Sequence, residues 1–311
     1  MQSAQRPSQT LRIGSRGSPL ALAQARELRE RLSAACGLAP DAVEIRVIKT
    51  TGDVIQDRPL SEVGGKGLFT KEIEQALIDN AIDLAVHSSK DMPTVLPPGL
   101  ILAATLPRED VRDAFVSKKA KSLADLPTGA TVGTASLRRQ ALVKRARPDL
   151  KVESLRGNVE TRIRKLDEGV ADATLLALAG LKRLGLADVA TAVLDIDTFL
   201  PAVGQGAIGL ETRESDARTR ELVARVNDAA TTTALAAERA FLEVLDGSCK
   251  TPIAGHARII DGRLSFRGMI LKVDGSEVHE TQRTGAIRDA VALGEDAGRE
   301  LKARGGADFF K

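Results

Sequence analysis

The pattern that most restricts the fold is a unit that occurs twice in the first two-thirds of the chain: strand, helix, strand, helix, strand. In the first copy a strand at 11–14 leads through Ser18 and Pro19 into a helix, followed by a strand at 43–50, a helix at 68–80 and a strand at 81–86. Ser18 is a good N-cap and Pro19 a good first helical residue. In the second copy a strand at 131–134 enters a helix from Ser136, and a strand at 151–155, a helix at 159–168 and a strand at 173–177 follow. This alternation predicts an α/β fold of two similar lobes, each built on a mostly parallel sheet. Two such lobes form a clamp around a crevice. Extended stretches at 100–106 and 199–210 are expected to carry the chain from lobe to lobe twice.

From about residue 229 the pattern changes to a helix at 232–245, strands at 257–260, 263–271 and 276–281, and a final helix from near Asp289. The pairs Asp261-Gly262 and Asp274-Gly275 mark tight hairpin turns. The expected organisation is lobe 1 at 11–106 with 207–225, lobe 2 at 107–206, and a smaller α+β carboxy-terminal domain at 226–311.

The run AVHSSKDMP at 85–93 places a lysine and an aspartate where a short apolar strand ends. In open α/β sheets strand ends face the ligand crevice, so Asp91 is a candidate catalytic group. Pro93 disfavours helix at Met92, and 87–92 is expected to be an exposed turn. A solvated surface pair is the plainer reading of Lys90 and Asp91 taken alone.

Metal chemistry is not expected, because the 3 histidines and 2 cysteines do not fall at ligand spacing. Cys36 falls in register with Leu28 and Leu32 on a helix that ends before Gly37, and reads as a core residue. Cys249 sits in the loop DGSCKTP beside Lys250, where exposure and a positive neighbour favour thiolate. The amino-terminal MQSAQRPSQT has no apolar run and no apolar stretch is long enough to span a bilayer, so a cytoplasmic protein without a membrane partner is expected.

Net charge is only +3, but there are 30 arginines to 15 lysines, and seven arginines fall between Arg138 and Arg164. Guanidinium forks suit carboxylate or phosphate, so a polyanionic ligand is implied. Nucleic acid is disfavoured: with no Trp, no Tyr and 7 Phe the chain lacks stacking platforms, and no duplex-binding motif is present. Arg145, Arg147 and Arg164 read as a solvated basic face. The residues that follow the strands form the more telling group: Arg16 and Ser18, Ser88, Lys90 and Asp91, Thr134, Ser136, Arg138 and Arg139, and Arg156. Hydroxyls, guanidiniums and helix N-termini together make anion sites, and several carboxylates fit them better than one phosphate. The glycine-rich VGGKGLF at 63–69 is not a P-loop, since its glycine spacing fails and no Ser or Thr follows Lys66.

The segments LRIGSRGSPLALAQA, GGKGLFTKEIE, AVHSSKDMP, GTASLRRQ, SLRGNVETRIRKLD, LAGLKRLG, LPAVGQGAIGLE and GSCKTPIAGHA occur here in the order found in the hydroxymethylbilane synthase (porphobilinogen deaminase) family, which the chain resembles from about Leu11 into its last domain. The resemblance implies three domains, the first two similar to type II solute-binding proteins. It implies stepwise head-to-tail joining of four porphobilinogen molecules with loss of ammonia, followed by hydrolytic release of linear hydroxymethylbilane. The chain grows on a dipyrromethane cofactor held as a thioether, here on Cys249. Each pyrrole carries an acetate and a propionate, so cofactor and growing polypyrrole bring many carboxylates into one crevice.

By the same resemblance Asp91 stabilises the cation formed when ammonia leaves, and relays protons. Ser88, Lys90, Thr134, Ser136, Arg138, Arg139, Arg156 and Gly157 are expected at the cofactor. Arg16, Ser18, Arg162, Gln205 and Arg183 are expected at the substrate, with Gln205 equally suited to a hinge; Arg239 is also matched. Some members carry a lysine where this chain has Glu62. A monomer is expected, since no apolar surface stripe argues for a dimer. Two other readings remain: a two-lobed binding module without catalysis, and an enzyme using Lys66 or Lys90 as a Schiff-base lysine. The first leaves Asp91 and Cys249 without a purpose, and nothing marks a pyridoxal phosphate site for the second.

Overall fold

The computed structural model describes residues 10–54, 67–246, 251–306 and 308–310. Glu62, the segment 63–66 with Lys66, and Cys249 with Lys250 lie outside them. The first part of the chain runs β1 (Leu11–Ser15), α1 (Pro19–Cys36), β2 (Val43–Val47), α2 (Thr51–Val54), α3 (Lys71–Ile78), β3 (Leu84–Ser88) and β4 (Leu100–Thr105). The second runs β5 (Asp113–Ser117), β6 (Thr131–Gly133), α4 (Leu137–Ala146), β7 (Lys151–Glu153), α5 (Val159–Asp167), β8 (Ala173–Ala177), α6 (Leu178–Arg183) and β9 (Ala192–Val193). Then come β10 (Ile208–Arg213), α7 (Ala217–Ala224), α8 (Ala229–Val244), β11 (Ile253–Ile260), β12 (Arg263–Leu271), β13 (Val278–Ala286) and α9 (Ala290–Gly305).

The repeated unit is present in both lobes. Ser18 caps α1 by accepting from the Ala21 N–H, Pro19 opens the helix, and Gly37 ends it at φ 64°. Ser136 accepts from the Arg139 N–H at the start of α4, and Asn158 from the Thr161 N–H at the start of α5. These three N-termini follow β1, β6 and β7 and meet at one crevice.

Each sheet is mostly parallel, as expected, and each carries one reversed strand at the same place in its order. The orders are β2-β1-β3-β10-β4 and β7-β6-β8-β5-β9, with β10 and β5 antiparallel to their neighbours. The strand that enters each lobe after a crossing is thus inserted into that lobe's sheet. This corrects the expected linkers: Leu100–Thr105 is an edge strand of lobe 1, Ile208–Arg213 an internal one, and the crossings are 106–112 and 194–207. They pass so closely that a Cβ on Gly206 (φ 86°) would lie 2.4 Å from the Glu109 carbonyl oxygen.

The insertion of β10 also changes the expected exposed turn. His87 pairs with Gly209 and Ser88 with Ile208, which carries β3 two residues further. His87, Ser89 and Met92 are buried, and Ser89–Asp91 is a single 3-10 turn that leaves Asp91 exposed.

The third domain packs α8 and α9 on the antiparallel sheet β11-β12-β13. Asp261 at φ 49° with Gly262 at φ 72°, and Gly275 at φ 74°, make the expected tight turns. The apolar core of lobe 2 continues into this domain through Ala254, Met269 and Leu271. One carboxylate fastens it to the crossings: Glu238 on α8 accepts from both terminal nitrogens of Arg108 (2.6 and 3.0 Å), from Gly204 N–H (2.7 Å) and from Ala257 N–H (2.7 Å). Cys36 is half-buried against the lobe 1 core rather than fully inside it.

Candidate active site

Between the lobes lies a crevice of about 860 Å³. Its basic lining comes from Arg16 after β1, Lys49 after β2, Lys90 after β3, Arg138 and Arg139 on α4, Arg156 before α5, and Arg162 and Lys165 on α5. Asp91 faces the same space, as do Ser18, Ser88, Thr134, Ser136, Gly157 and Gln205. A smaller cavity of about 60 Å³ adjoins it, lined by Asp91, Ser88, His87, Gln24, Arg16 and Ser18 among others. The strand ends and the helices that follow them have therefore brought together all the expected residues of the described chain except Arg183 and Arg239. Arg183 joins the lobes instead, donating Nε to Glu27 of α1 (3.3 Å) and Nη2 to the Gly206 carbonyl (3.1 Å).

Arg138 and Arg139 are more deeply set than the sequence suggested. Both are buried and grip the fully buried Asp113 at the start of β5: Arg138 Nη2 donates to Oδ2 (2.7 Å), and Arg139 Nη2 to Oδ1 (2.7 Å). Arg138 Nη1 also donates to the Leu200 carbonyl and Arg139 Nη1 to that of Leu175, both at 2.8 Å. Gln205 Nε2 adds a bond to Asp113 Oδ1 (3.1 Å), so a residue of the second crossing and the crevice floor share one anion. Burial alone would push the Asp113 carboxyl up, but the charges and hydrogen bonds of the two arginines outweigh it and hold it well below the usual carboxylate range.

Burial brings the Lys90 ammonium down to about 8, opposed by Asp91 and reinforced by Arg139 and Arg138. Arg162, whose Nε donates to the Gly157 carbonyl (2.9 Å), is brought to about 10 by burial and by Arg139, with Asp91 opposing. Asp91 thus lies within the field of two cations whose own charge is under strain from burial. The loop after it is held from the third domain, since Arg239 donates to the carbonyls of Pro93 (2.9 Å) and Thr94 (2.8 Å). Arg147, expected on a solvated face, instead ties Asp149 to three carbonyls of the 123–126 segment.

Several groups went unnoticed in the sequence: Lys49 and Lys165 in the crevice lining, and Asp113, Gln24, Asp53 and Glu238. Gln24 exchanges hydrogen bonds with Ser88 (2.9 and 3.3 Å) beside Asp91. A buried polar residue on the apolar face of α1 was the available signal for it. Asp113, Asp53 and Glu238 depend on partners far along the chain.

A family model described as "Porphobilinogen deaminase, dipyromethane cofactor binding domain" matches residues 11–221, and one described as "Porphobilinogen deaminase, C-terminal domain" matches 232–303. The chain belongs to the porphobilinogen deaminase family. The curated porphobilinogen deaminase of Nitrobacter winogradskyi is 62% identical over 310 residues, covering 100% of this chain and 98% of that protein. That of Nitrobacter hamburgensis is 62% identical over 298 residues, covering 96% and 94%. Among solved structures the chain is similar to the methionine-binding protein MetQ, at 16% identity and a TM-score of 0.46 over 71% of this chain and 91% of that one. A periplasmic substrate-binding protein from Coxiella burnetii gives 17% identity and a TM-score of 0.44 over 74% and 97%.

In porphobilinogen deaminases the first matched domain holds the dipyrromethane cofactor. The crevice suits such a multiply carboxylated group. Its basic side chains outnumber its acids, and the buried Nε of Arg138 has no partner among the described residues, which is a donor left over for a ligand. No metal cluster occurs among the described residues, and no helix there is long and apolar enough to cross a membrane.

Proposed function

We propose that the protein is a hydroxymethylbilane synthase, joining four porphobilinogen molecules head to tail with loss of ammonia and releasing linear hydroxymethylbilane by hydrolysis. The observation that carries this reading is Asp91, exposed at the end of β3 in a crevice lined by arginine and lysine. A dipyrromethane group attached to Cys249 supplies, when bound, the free α-carbon at which joining begins.

Asp91 holds its carboxylate where positive charge develops on the substrate as the C–N bond breaks and ammonia leaves with the electron pair. It then accepts the proton released once the new C–C bond has formed. Lys90, Arg138, Arg139, Arg156, Ser88, Thr134, Ser136 and the Gly157 backbone hold the cofactor's carboxylates, while Arg16, Ser18 and Arg162 hold those of the substrate. Hydrogen bonds to charged groups contribute about 1.5–3 kcal/mol each, so several such forks suffice without stacking. Gln205 and Arg183 act at the hinge and the lobe contact, where they bear on substrate through closure rather than by touching it. Lobe 1 comprises 11–106 with 207–225, lobe 2 is 107–206 and the third domain 226–311. The protein works as a monomer in the cytoplasm.

The anchor is tested by two serine variants. Cys249→Ser is expected to yield a folded protein without cofactor and without turnover, because an alcohol is a far weaker nucleophile than a thiolate near neutral pH. Cys36→Ser should keep both. The masses of the two purified proteins decide the matter, and loss of the adduct in Cys36→Ser would overturn the assignment.

A further inference from the structure

Two aspartates line the crevice among its described residues, Asp91 and Asp53. A carboxylate in a site for polyanions repels each arriving carboxylate, so Asp53 requires a reason for being there. It sits on Arg16. Arg16 Nε donates to both oxygens of Asp53 (3.1 and 3.3 Å) and Nη2 to Oδ1, so one fork of the guanidinium is filled by a resident carboxylate. The Thr50 hydroxyl (2.7 Å) and Thr50 N–H (3.3 Å) hold Asp53 in turn, and Phe69 lies 4.1 Å beneath the guanidinium.

Beneath the crevice lies a second kind of arginine–aspartate pairing. At Asp113 the carboxylate side chain is 0% exposed and its arginines 4% and 6%, so that pair is permanent. At Asp53 and Arg16 the side chains are 22% and 24% exposed, so another carboxylate can reach the fork without any unfolding. Alignment of the guanidinium plane is already provided by Phe69. Elongation adds a requirement that alignment does not meet: a carboxylate gripped at one addition must be let go before the next. An arginine that surrenders its ligand to water loses a charge-assisted pair, whereas one that passes from a ligand carboxylate to Asp53 trades like for like.

We propose that Asp53 is an exchange carboxylate, which holds the Arg16 fork between additions, yields it to a carboxylate of the incoming porphobilinogen, and reclaims it so that the joined ring moves on. The proposal rests on the reading of Arg16 as a substrate-carboxylate residue. Asp53 is thereby a residue that favours release, and its loss should strengthen binding while slowing passage along the crevice.

The test uses cofactor-loaded Asp53→Asn, which keeps an acceptor for Thr50, with Asp53→Glu as the variant that retains the charge. Mixed with one to four equivalents of porphobilinogen, Asp53→Asn should show a KM about tenfold lower, roughly the factor one charge-assisted hydrogen bond carries. Its intact-mass spectrum should show chains of intermediate length accumulating, and Asp53→Glu should restore much of the wild-type pattern. A raised KM without accumulation would overturn exchange in favour of simple alignment of Arg16. Arg16→Lys separates the two layers. A KM unchanged by that substitution would overturn the placing of a substrate carboxylate at Arg16 and this proposal with it. A raised KM in Arg16→Lys that Asp53→Asn no longer alters supports both.

Discussion

Cofactor-loaded Asp91→Asn is expected to retain its thioether adduct, to bind porphobilinogen, and to lose kcat by on the order of 10² or more, as when a preorganised electrostatic group is removed. The amide preserves shape and one acceptor but not the charge. Negative charge is what the site is short of at this point: Asp91 stands in the turn after β3 with Lys90, Arg162 and the crevice arginines around it, and the other aspartate of the crevice among the described residues, Asp53, is engaged by Arg16. Asp91→Glu should keep part of the activity, since the charge survives at a displaced position. Steady-state kinetics on variants with confirmed adduct check this. A near wild-type kcat with only a raised KM would make Asp91 a substrate-positioning group.

Asp113→Asn is expected to cost stability on the scale of a broken buried ion pair, about 3–5 kcal/mol, because two buried guanidiniums lose their shared anion. The melting temperature should fall by roughly 2–4 °C for each kcal/mol. The Asp113 carboxyl is held below its ordinary range, so its contribution is complete above the unfolded value of about 3.9 and is lost only as pH falls through the lower folded value. The gap between wild type and variant should therefore stay constant from neutral pH down to about pH 4 and narrow below it. Urea unfolding at a series of pH values measures it. The variant should also hold its cofactor poorly, since Arg138 and Arg139 are aimed by the same carboxylate. A cost below about 1 kcal/mol would place the pair among weak surface bridges and remove that support.

The legible parts of the fold were those with local causes. Ser18-Pro19, Ser136 and Gly37 act within one turn of their helices, and Asp261-Gly262 within two residues, so their reading needs no knowledge of the rest of the chain. The insertion of β10 beside β3 is not of this kind. Glu211 pairs with Ala85 across more than a hundred intervening residues, and nothing near either strand announces the other. The error over 87–92 follows directly, because the extra length of β3 is dictated by Ile208 and Gly209.

The site divides in the same way. Asp91, Arg16 and the arginines of α4 were visible because strand ends point at a crevice in such folds. Asp113 begins the apolar strand DAFVS and reads as a surface charge until Arg138 and Arg139, 25 and 26 residues on, are folded over it. Asp53 follows Thr-Thr-Gly and reads as a turn residue until β1 brings Arg16 alongside. Charges of ordinary appearance acquire their roles here from partners that only the tertiary fold supplies.

On the proposed function, the crevice holds a chain that grows from Cys249 one pyrrole at a time. The intact mass of purified wild-type protein, followed by peptide mapping, addresses it most directly. The expected result is a mass excess of two linked pyrrole units located on the peptide containing Cys249, and, after limiting porphobilinogen is added, a ladder of further increments of one unit each. An unmodified chain that binds porphobilinogen reversibly, or an adduct on any other residue, would contradict it.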